Sequence, residues 1–182
     1  VQLSIDRLVY YAGWCDKLYG EVCPTNHQFL NYIVHQPVGV CGLIVPWNFP
    51  LVMASWKLAP ALAMGNTTII KPAPPTSLSL LYLCERIHEA RIMPPGVLNV
   101  LLGGPEVGRA LCLHSGVDKV AFTGSTAVGK EIVKNSGESN LKYISLELGG
   151  KSPLIMFDDA DNIDKIITNA FTAMFSHKGE KC

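Results

Sequence analysis

The sequence has no excess of charge of either sign. Its 182 residues include 15 Lys and Arg against 15 Asp and Glu, so the formal net charge is zero. Proteins that hold nucleic acid or an anionic membrane surface by electrostatic attraction carry a basic patch or a strong positive charge. We therefore expect neither nucleic acid nor a membrane among the partners of this protein.

The sequence also lacks a long uninterrupted apolar run. Its longest apolar stretch, residues 38–64, is interrupted by prolines, by Asn48 and by Lys57, whereas a membrane-spanning helix needs about 20 consecutive apolar residues. No secretory signal precedes the first charged residues. We expect a globular protein of the cytoplasm, and a mitochondrial location stays open because a removed presequence would leave no trace.

The cysteines form no pattern. All six are scattered along the chain, with no CxxC pair and no spacing typical of metal ligands. We expect a reducing compartment, no metal site, and a small buried hydrophobic role for most of these side chains.

What is present is an alternation of short apolar runs with longer helical patterns. The apolar or β-branched runs lie at residues 40–45, 67–71, 97–101, 118–123 and 142–148, and the helical patterns near 51–64, 76–90, 105–114 and 125–135. Such alternation predicts βαβ units and a parallel sheet that is covered on both faces. The predicted fold class is α/β, a Rossmann-like doubly wound parallel sheet.

The flanks of this region have other patterns. Residues 1–19 carry apolar positions near helical spacing and predict a helix, while residues 28–36 predict a strand of another layer. After Lys151, residues 152–157 predict one more strand and residues 162–175 one more helix.

Residues 122–132, FTGSTAVGKEI, run from a predicted strand through a glycine turn into a helix. Glycine lets the backbone approach a phosphate, and the first N–H groups of a helix favour negative charge. The spacing is GxTxxG rather than the GxGxxG of the usual fingerprint, and Ser125 could equally be an ordinary N-cap. Both interpretations stay open. For a second turn of this kind, residues 101–108, tight packing is the favoured interpretation.

Asn48 lies between two prolines and two aromatic residues in PWNFP, residues 46–50. A rigidly held amide can donate hydrogen bonds to a developing oxyanion. Taken alone, the pattern favours an asparagine that only satisfies a turn.

Glu147 comes at the end of a predicted strand in LELGGKSP, residues 146–153. A carboxylate on an apolar strand is costly unless it is hydrogen-bonded or used, which fits a general base. An ion pair with Lys151 is an equal alternative.

Cys182 follows Gly179 and lies near Lys178 and Lys181. Neighbouring cations favour the thiolate, the nucleophilic form of cysteine. The alternative is a buried structural cysteine.

Together, the motifs PWNFP (46–50), IIKPAPPT (69–76), FTGSTAVG (122–129), LELGGKSP (146–153) and FxxxGExC (175–182) occur in an order that resembles the NAD(P)-dependent aldehyde dehydrogenase superfamily. The resemblance covers essentially the whole chain. Its GExC ending is weakly similar to the formyltetrahydrofolate dehydrogenase branch.

The resemblance implies a role for each matching residue. Cys182 would be the nucleophile, Asn48 would hold the oxyanion together with the backbone N–H of Cys182, and Glu147 would activate the hydrolytic water. Binding of NAD or NADP is implied for Pro46, Trp47, Lys71, Gly124, Ser125, Thr126, Gly129 and Leu148. Within this set Lys71 would bind the adenosine ribose, and residues 124–129 would face the pyrophosphate.

The resemblance also implies the organisation of the chain. Residues 1–36 would be a helix and strand that flank the cofactor domain, residues 37–148 the NAD(P)-binding domain, and residues 149–182 the start of the catalytic domain. The substrate would be a small-molecule aldehyde. The complete subunit would form a homodimer or homotetramer.

Three positions depart from the family pattern. Pro74 stands where many NAD-preferring members have a glutamate that accepts from the ribose 2′-hydroxyl, so we expect dual specificity or a preference for NADP. Ser176 and His177 stand where an aromatic residue and an asparagine are common, which leaves the shape of the substrate channel open.

The chain resembles the middle of a longer subunit, so we expect these 182 residues to be inactive alone. The alternative function is a truncated cofactor-binding or subunit-interaction module without catalysis. A third possibility is an acylating enzyme that transfers the acyl group to coenzyme A, against which Glu147 argues because a water-activating carboxylate favours hydrolysis.

Overall fold

The computed structural model describes residues 1–26 and 28–182 and shows an α/β fold. Its helices are α1 (Gln2–Ala12), α2 (Pro50–Ala63), α3 (Leu78–Glu89), α4 (Pro105–Leu113), α5 (Thr126–Gly137) and α6 (Ile163–Phe175). Its strands are β1 (Glu21–Cys23), β2 (Asn31–Ile33), β3 (Val40–Ile44), β4 (Thr67–Lys71), β5 (Leu98–Val100), β6 (Lys119–Gly124) and β7 (Tyr143–Leu148). The alternation predicted for residues 40–148 is confirmed, with boundaries that differ by a few residues.

Strands β3 to β7 form one parallel sheet in the order β5-β4-β3-β6-β7. The chain starts at the centre with β3, adds β4 and β5 on one side, and returns to the centre to add β6 and β7 on the other. The predicted Rossmann-like, doubly wound sheet is confirmed. In sheets of this kind ligands bind beyond the carboxyl ends of the strands where the order reverses, which here is between β3 and β6.

Helices cover both faces of the sheet. On one face α2 and α3 pack through a buried cluster that includes Leu43 and Leu58. On the other face α4 and α5 pack through a second cluster that includes Ile44, Val120 and Ile132. Successive side chains of a strand point to opposite faces, so Leu43 of β3 belongs to the first cluster and Ile44 to the second. Burial on both faces explains the continuous apolar run of that strand.

Turn chemistry sets the ends of the helices. Gly65, with φ +75°, follows α2 in the left-handed conformation that glycine adopts without strain. Pro105 is the first residue of α4, where its missing N–H has no intrahelical partner in any case. Ser125 caps α5, since its Oγ accepts from the backbone N–H of Val128 at 3.3 Å. None of the helices in the described residues is long and apolar enough to cross a membrane.

The flanks agree with the sequence only in part. The helix predicted over residues 1–19 ends at Ala12, and the strand predicted over residues 28–36 is the three-residue β2. This strand pairs antiparallel with β1, for which no strand was predicted, and the pair is separate from the main sheet. Helix α6 confirms the prediction for residues 162–175.

The strand predicted over residues 152–157 is wrong, because this segment forms no ladder with the described residues. Its apolar side chains are exposed, with 81% exposure at Ile155 and 73% at Phe157. An extended segment becomes a strand only when a neighbour takes up its N–H and C=O groups, and apolar residues alone do not supply that neighbour.

Candidate active site

A cleft of about 920 Å³ runs between α2 and the face of β6 and β7, from Asn66 and Lys119 at the amino end of the sheet to its carboxyl end. The loops that follow β3 and β6 both reach it, so the cleft lies at the reversal of strand order. Seven of the residues assigned from the sequence line it: Trp47, Asn48, Gly124, Ser125, Glu147, Leu148 and Cys182. The three residues expected to be catalytic, which are far apart in the chain, therefore share one cavity.

Asn48 is held in the turn between β3 and α2. Pro50 begins α2 immediately after this turn, and the Nδ2 of Asn48 donates to the backbone oxygen of Glu180 at 2.7 Å. An asparagine amide has two N–H donors, so one of them stays available to a ligand. Asn48 thus ties the loop before Cys182 to the carboxyl end of β3 and keeps a donor at the cleft.

His177 supports this arrangement and had no role assigned from the sequence. Its Nε2 donates to the backbone oxygen of Asn48 at 2.7 Å, and its ring stacks on Phe49 with centroids 4.3 Å apart. Positive φ angles at His177, Lys178 and Gly179 turn the chain sharply at this point. No sequence signal joins residues 129 positions apart, so only the fold reveals this contact.

Cys182 is exposed at the cleft, which contradicts the alternative of a buried structural cysteine. Its backbone oxygen accepts from the N–H of Gly150 at 2.8 Å, just beyond the end of β7. By contrast, burial raises the pKa of Cys41 and Cys112 and keeps these thiols protonated. Lys181 does not match its expected role, because its ammonium donates to Ala173 and Ser176 at the end of α6.

Glu147 is exposed on β7, the edge strand, and faces the cleft. The alternative ion pair with Lys151 is absent, since within the described residues Glu147 makes no salt bridge. The charge of Glu147 instead acts on Lys57 of α2, which also lines the cleft. Burial lowers the pKa of Lys57 to about 8, and Glu147 offsets part of that effect. In the sequence Lys57 stood out only as an interruption of an apolar run.

The turn after β6 has the geometry of a capped helix start. Ser125 and Thr126 are exposed at the beginning of α5, whereas Gly129 is buried. A Cβ on Gly129 would lie 2.7 Å from a methyl of Leu148, so this glycine allows α5 to pack closely on β7. The exposed first turn of α5 is the part that can meet an anion.

Lys71 ends β4 and does not line the cleft. It is only 6% exposed, and the contact of its Nζ is a long one, 3.5 Å to the oxygen of Pro72. Burial lowers the pKa of Lys71, and the nearby carboxylate of Glu106 offsets part of this. Pro46 and Thr126 also lie outside the lining of the cleft. Across the described residues there is no group of three or more His, Cys, Asp or Glu side chains arranged to hold a metal.

The profile of the aldehyde dehydrogenase family matches residues 1–182 in full. The chain belongs to the aldehyde dehydrogenase family. The membership predicted from five ordered motifs is thereby confirmed. The cleft that holds Asn48, Glu147 and Cys182 therefore belongs to a fold of this family.

Similar proteins agree with this membership. Retinal dehydrogenase 2 of Taeniopygia guttata is 53% identical over 183 residues, covering 100% of this chain and 35% of the relative. Aldehyde dehydrogenase, cytosolic 1, of Mus musculus is 49% identical over 100% of this chain and 36% of its own length. A Bacillus cereus aldehyde dehydrogenase in complex with NAD+ superposes with a TM-score of 0.94 at 48% identity, covering 100% of this chain and 36% of that one. The chain thus spans little more than a third of the length of these aldehyde dehydrogenases.

Proposed function

We propose that the natural protein oxidises an aldehyde to the carboxylic acid with NAD+ or NADP+, and that Cys182 is the nucleophile. The observation that carries this proposal is the convergence of Asn48, Glu147 and Cys182 on one cleft at the reversal of strand order. Family membership supports the same reaction class.

The first step is attack of the Cys182 thiolate on the aldehyde carbon. An S–C bond forms, and the carbonyl electron pair moves to oxygen, giving a thiohemiacetal oxyanion. The free N–H of the Asn48 amide donates to that oxygen, and such a donor stabilises charge that develops only in the transition state. The hydrogen bond from Asn48 to Glu180 holds the amide in place.

The second half of the reaction is hydrolysis of a thioester. When bound, the nicotinamide would be the acceptor for the hydride of the thiohemiacetal carbon, and Cys182 would then hold the acyl group as a thioester. Glu147 then takes a proton from water, the resulting hydroxide attacks the acyl carbon, and the C–S bond breaks to release the acid and the thiolate. The exposed position of Glu147 on the edge strand leaves room for this water.

The described residues fit a dinucleotide. Lys71 is a buried residue whose ammonium has three N–H donors and, within the described part of the chain, a single contact at 3.5 Å, so it has donors left for ribose hydroxyls. The exposed start of α5 at Ser125 and Thr126 suits the pyrophosphate. Gly124 and Leu148 lie beside it, and Pro46 and Trp47, in the loop after β3, complete the proposed cofactor-binding set.

The remaining expectations are part of the same proposal. Residues 1–36 flank the cofactor domain, residues 37–148 form it, and residues 149–182 begin the catalytic domain. The natural protein forms a homodimer or homotetramer and works in the cytoplasm, which the name of the cytosolic mouse relative supports. Light scattering and cell fractionation test these two points.

The test compares two cysteine variants of the natural protein. Cys182→Ala should lower aldehyde oxidation by about 10³-fold or more, because loss of a covalent nucleophile leaves only binding and electrostatic effects. Cys15→Ala, at another exposed cysteine, is the matched control and should keep full activity. The readouts are formation of reduced nicotinamide and of the acid, together with NAD+ binding, which both variants should retain.

Three outcomes count against the proposal. Undiminished oxidation by Cys182→Ala would show that the nucleophile lies elsewhere. Cofactor binding by the wild-type protein without turnover of any aldehyde would favour the noncatalytic cofactor-binding module. Acyl-coenzyme A in place of the free acid, when coenzyme A is supplied, would assign the acylating reaction.

A further inference from the structure

The sequence lacks a glutamate three residues after Lys71, where Pro74 stands, but the fold places the carboxylate of Glu106 near enough to act electrostatically on the same lysine, without an ion pair within 4 Å among the described residues. Strand β5 pairs with β4 so that Val100 lies opposite Ile70, and the N–H of Leu101 donates to the oxygen of Ile70 at 3.0 Å. The turn that follows β5 therefore runs beside the end of β4. Glu106 comes from the first turn of α4, directly after this turn.

The carboxylate of Glu106 lies over the glycine pair of that turn. Its Oε1 accepts from the backbone N–H of Gly104 at 2.8 Å. A Cβ on Gly104 would lie 2.6 Å from Oε2, whereas one on Gly103 would clash with the side chain of Val107. The carboxylate thus occupies the space that a side chain at position 104 would fill, and its Oε2 keeps lone pairs for a ligand.

Lys71 is an independent sign that a ligand belongs here. The residue is only 6% exposed, yet the contact of its Nζ with the oxygen of Pro72 is at the limit of hydrogen bonding. A buried cation is costly unless other groups satisfy its donors. Ligand hydroxyl groups beside Lys71 and Glu106 would accept from the first and donate to the second.

We propose that Glu106 determines the cofactor specificity of this protein: it accepts from the ribose 2′-hydroxyl of NAD+ and repels the 2′-phosphate of NADP+. The inference rests on the proposed dinucleotide function and reverses the NADP preference expected from Pro74. A 2′-phosphate adds roughly 1.5 to 2 negative charges near neutral pH, and a carboxylate beside it would repel them. Glu106 remains ionised because hydrogen bonds from its own N–H and from that of Gly104 lower its pKa.

The competing explanation is that Glu106 only caps α4. The variant Glu106→Gln separates the two, because the amide oxygen can still accept from Gly104 while the charge is lost. Dissociation constants for NAD+ and NADP+ are measured on the natural protein by calorimetry. Glu131→Gln, at an exposed acid of α5 with no ion pair among the described residues, is the matched control for loss of one negative charge.

We expect the wild-type protein to bind NAD+ more tightly than NADP+, and Glu106→Gln to shift the ratio of the two constants about 10-fold toward NADP+. The control should leave the ratio unchanged. Adding Pro74→Glu to Glu106→Gln should restore discrimination by supplying a carboxylate from the other side of Lys71. Because Glu106 is exposed, discrimination should weaken as salt rises.

An unchanged ratio in Glu106→Gln, with both cofactors bound, would overturn the inference and leave Glu106 as a helix cap. Tighter binding of NADP+ by the wild-type protein would overturn it as well. Binding of neither dinucleotide would defeat the proposed function along with the inference, so the two failures are distinguishable.

Discussion

Polar side chains at the amino ends of the parallel strands are hydrogen-bonded more fully than those at the carboxyl ends. At the amino edge, where the strands begin, Asn66 accepts from the N–H of Gly39 at 3.0 Å and donates to the oxygen of Ala61 at 2.9 Å. Asp118 accepts from the N–H of Val40 at 2.8 Å. Each of these side chains has protein partners that fix where a strand starts.

At the carboxyl edge the polar groups keep unused capacity. Lys71 is as buried as Lys142 of the amino edge, at 6% exposure each. Lys142 donates to the oxygen of Cys112 at 2.6 Å and to Ser139 at 3.1 Å, whereas among residues 1–26 and 28–182 Lys71 has one contact, at 3.5 Å. Lys71 and Lys142 are thus equally buried but differ in how fully their donors are used, and the less satisfied lysine is the one assigned to the proposed cofactor.

The largest expected effect comes from comparing two asparagines. Asn48→Ala should lower kcat for aldehyde oxidation by about 10² to 10³-fold, because a donor to the oxyanion is lost, and should change stability little. Asn66→Ala should lower the free energy of unfolding by about 1 to 3 kcal/mol, because Gly39 and Ala61 lose their partners, and should change kcat far less than Asn48→Ala, because Asn66 lines the cleft at the end away from Cys182. Steady-state kinetics and urea unfolding measure both. A loss of stability in Asn48→Ala together with a loss of kcat in Asn66→Ala would contradict the comparison.

The two buried lysines give the next effect. Lys71→Met should weaken NAD+ binding by about 10-fold, the size of a lost charge-assisted hydrogen bond, without destabilising the unliganded protein. Lys142→Met should destabilise it by about 1 to 3 kcal/mol and leave NAD+ binding unchanged, since the oxygen of Cys112 loses its donor. Calorimetry measures the NAD+ affinity of both variants, and urea unfolding measures their stability. Equal destabilisation by both variants would mean that Lys71 is structural.

The smallest effect concerns Lys57, whose pKa falls from 10.5 to about 8 on folding. Between these values the unfolded chain binds more protons, so the stability of the protein should rise with pH across this window. Below pH 8 the full cost of the buried ammonium is present. Lys57→Met should therefore be more stable than the wild type at pH 7 by about 1 to 2 kcal/mol, less than the whole shift implies because the cleft is open to water.

Urea unfolding of both proteins at pH 7 and pH 10 tests this sign. The difference between them should shrink at the higher pH as the wild-type lysine loses its proton. A difference that stays constant, or that grows with pH, would show that Lys57 is not the titrating group.

Most of the central fold could be predicted because its signals are local. The alternation of apolar runs and helical patterns, with glycine or proline at the boundaries, located β3 to β7 and α2 to α5 within a few residues. The strand expected at residues 152–157 failed because pairing depends on a neighbour, which local sequence does not specify. For the same reason the sequence analysis predicted β2, with longer bounds, but not its partner strand β1.

The candidate site shows the same division. Asn48, Glu147 and Cys182 stand in recognisable motifs, so the sequence could nominate them. Lys57, Glu106 and His177 carry no such motif, since their interest comes from burial, from a turn on the adjacent strand, and from a contact across 129 positions. Environment of this kind exists only after folding.

The sequence by itself determined the family, the parallel α/β architecture and the chemical types of the nominated residues, because periodicity, turn residues and motif order are properties of neighbours along the chain. Only the tertiary structure decided which polar groups are satisfied and which are not. It collected Asn48, Glu147 and Cys182 on one cleft, and it left Lys71 buried with one long hydrogen bond among the described residues, in the electrostatic range of Glu106. Burial and proximity between distant segments set these properties, and both arise from packing.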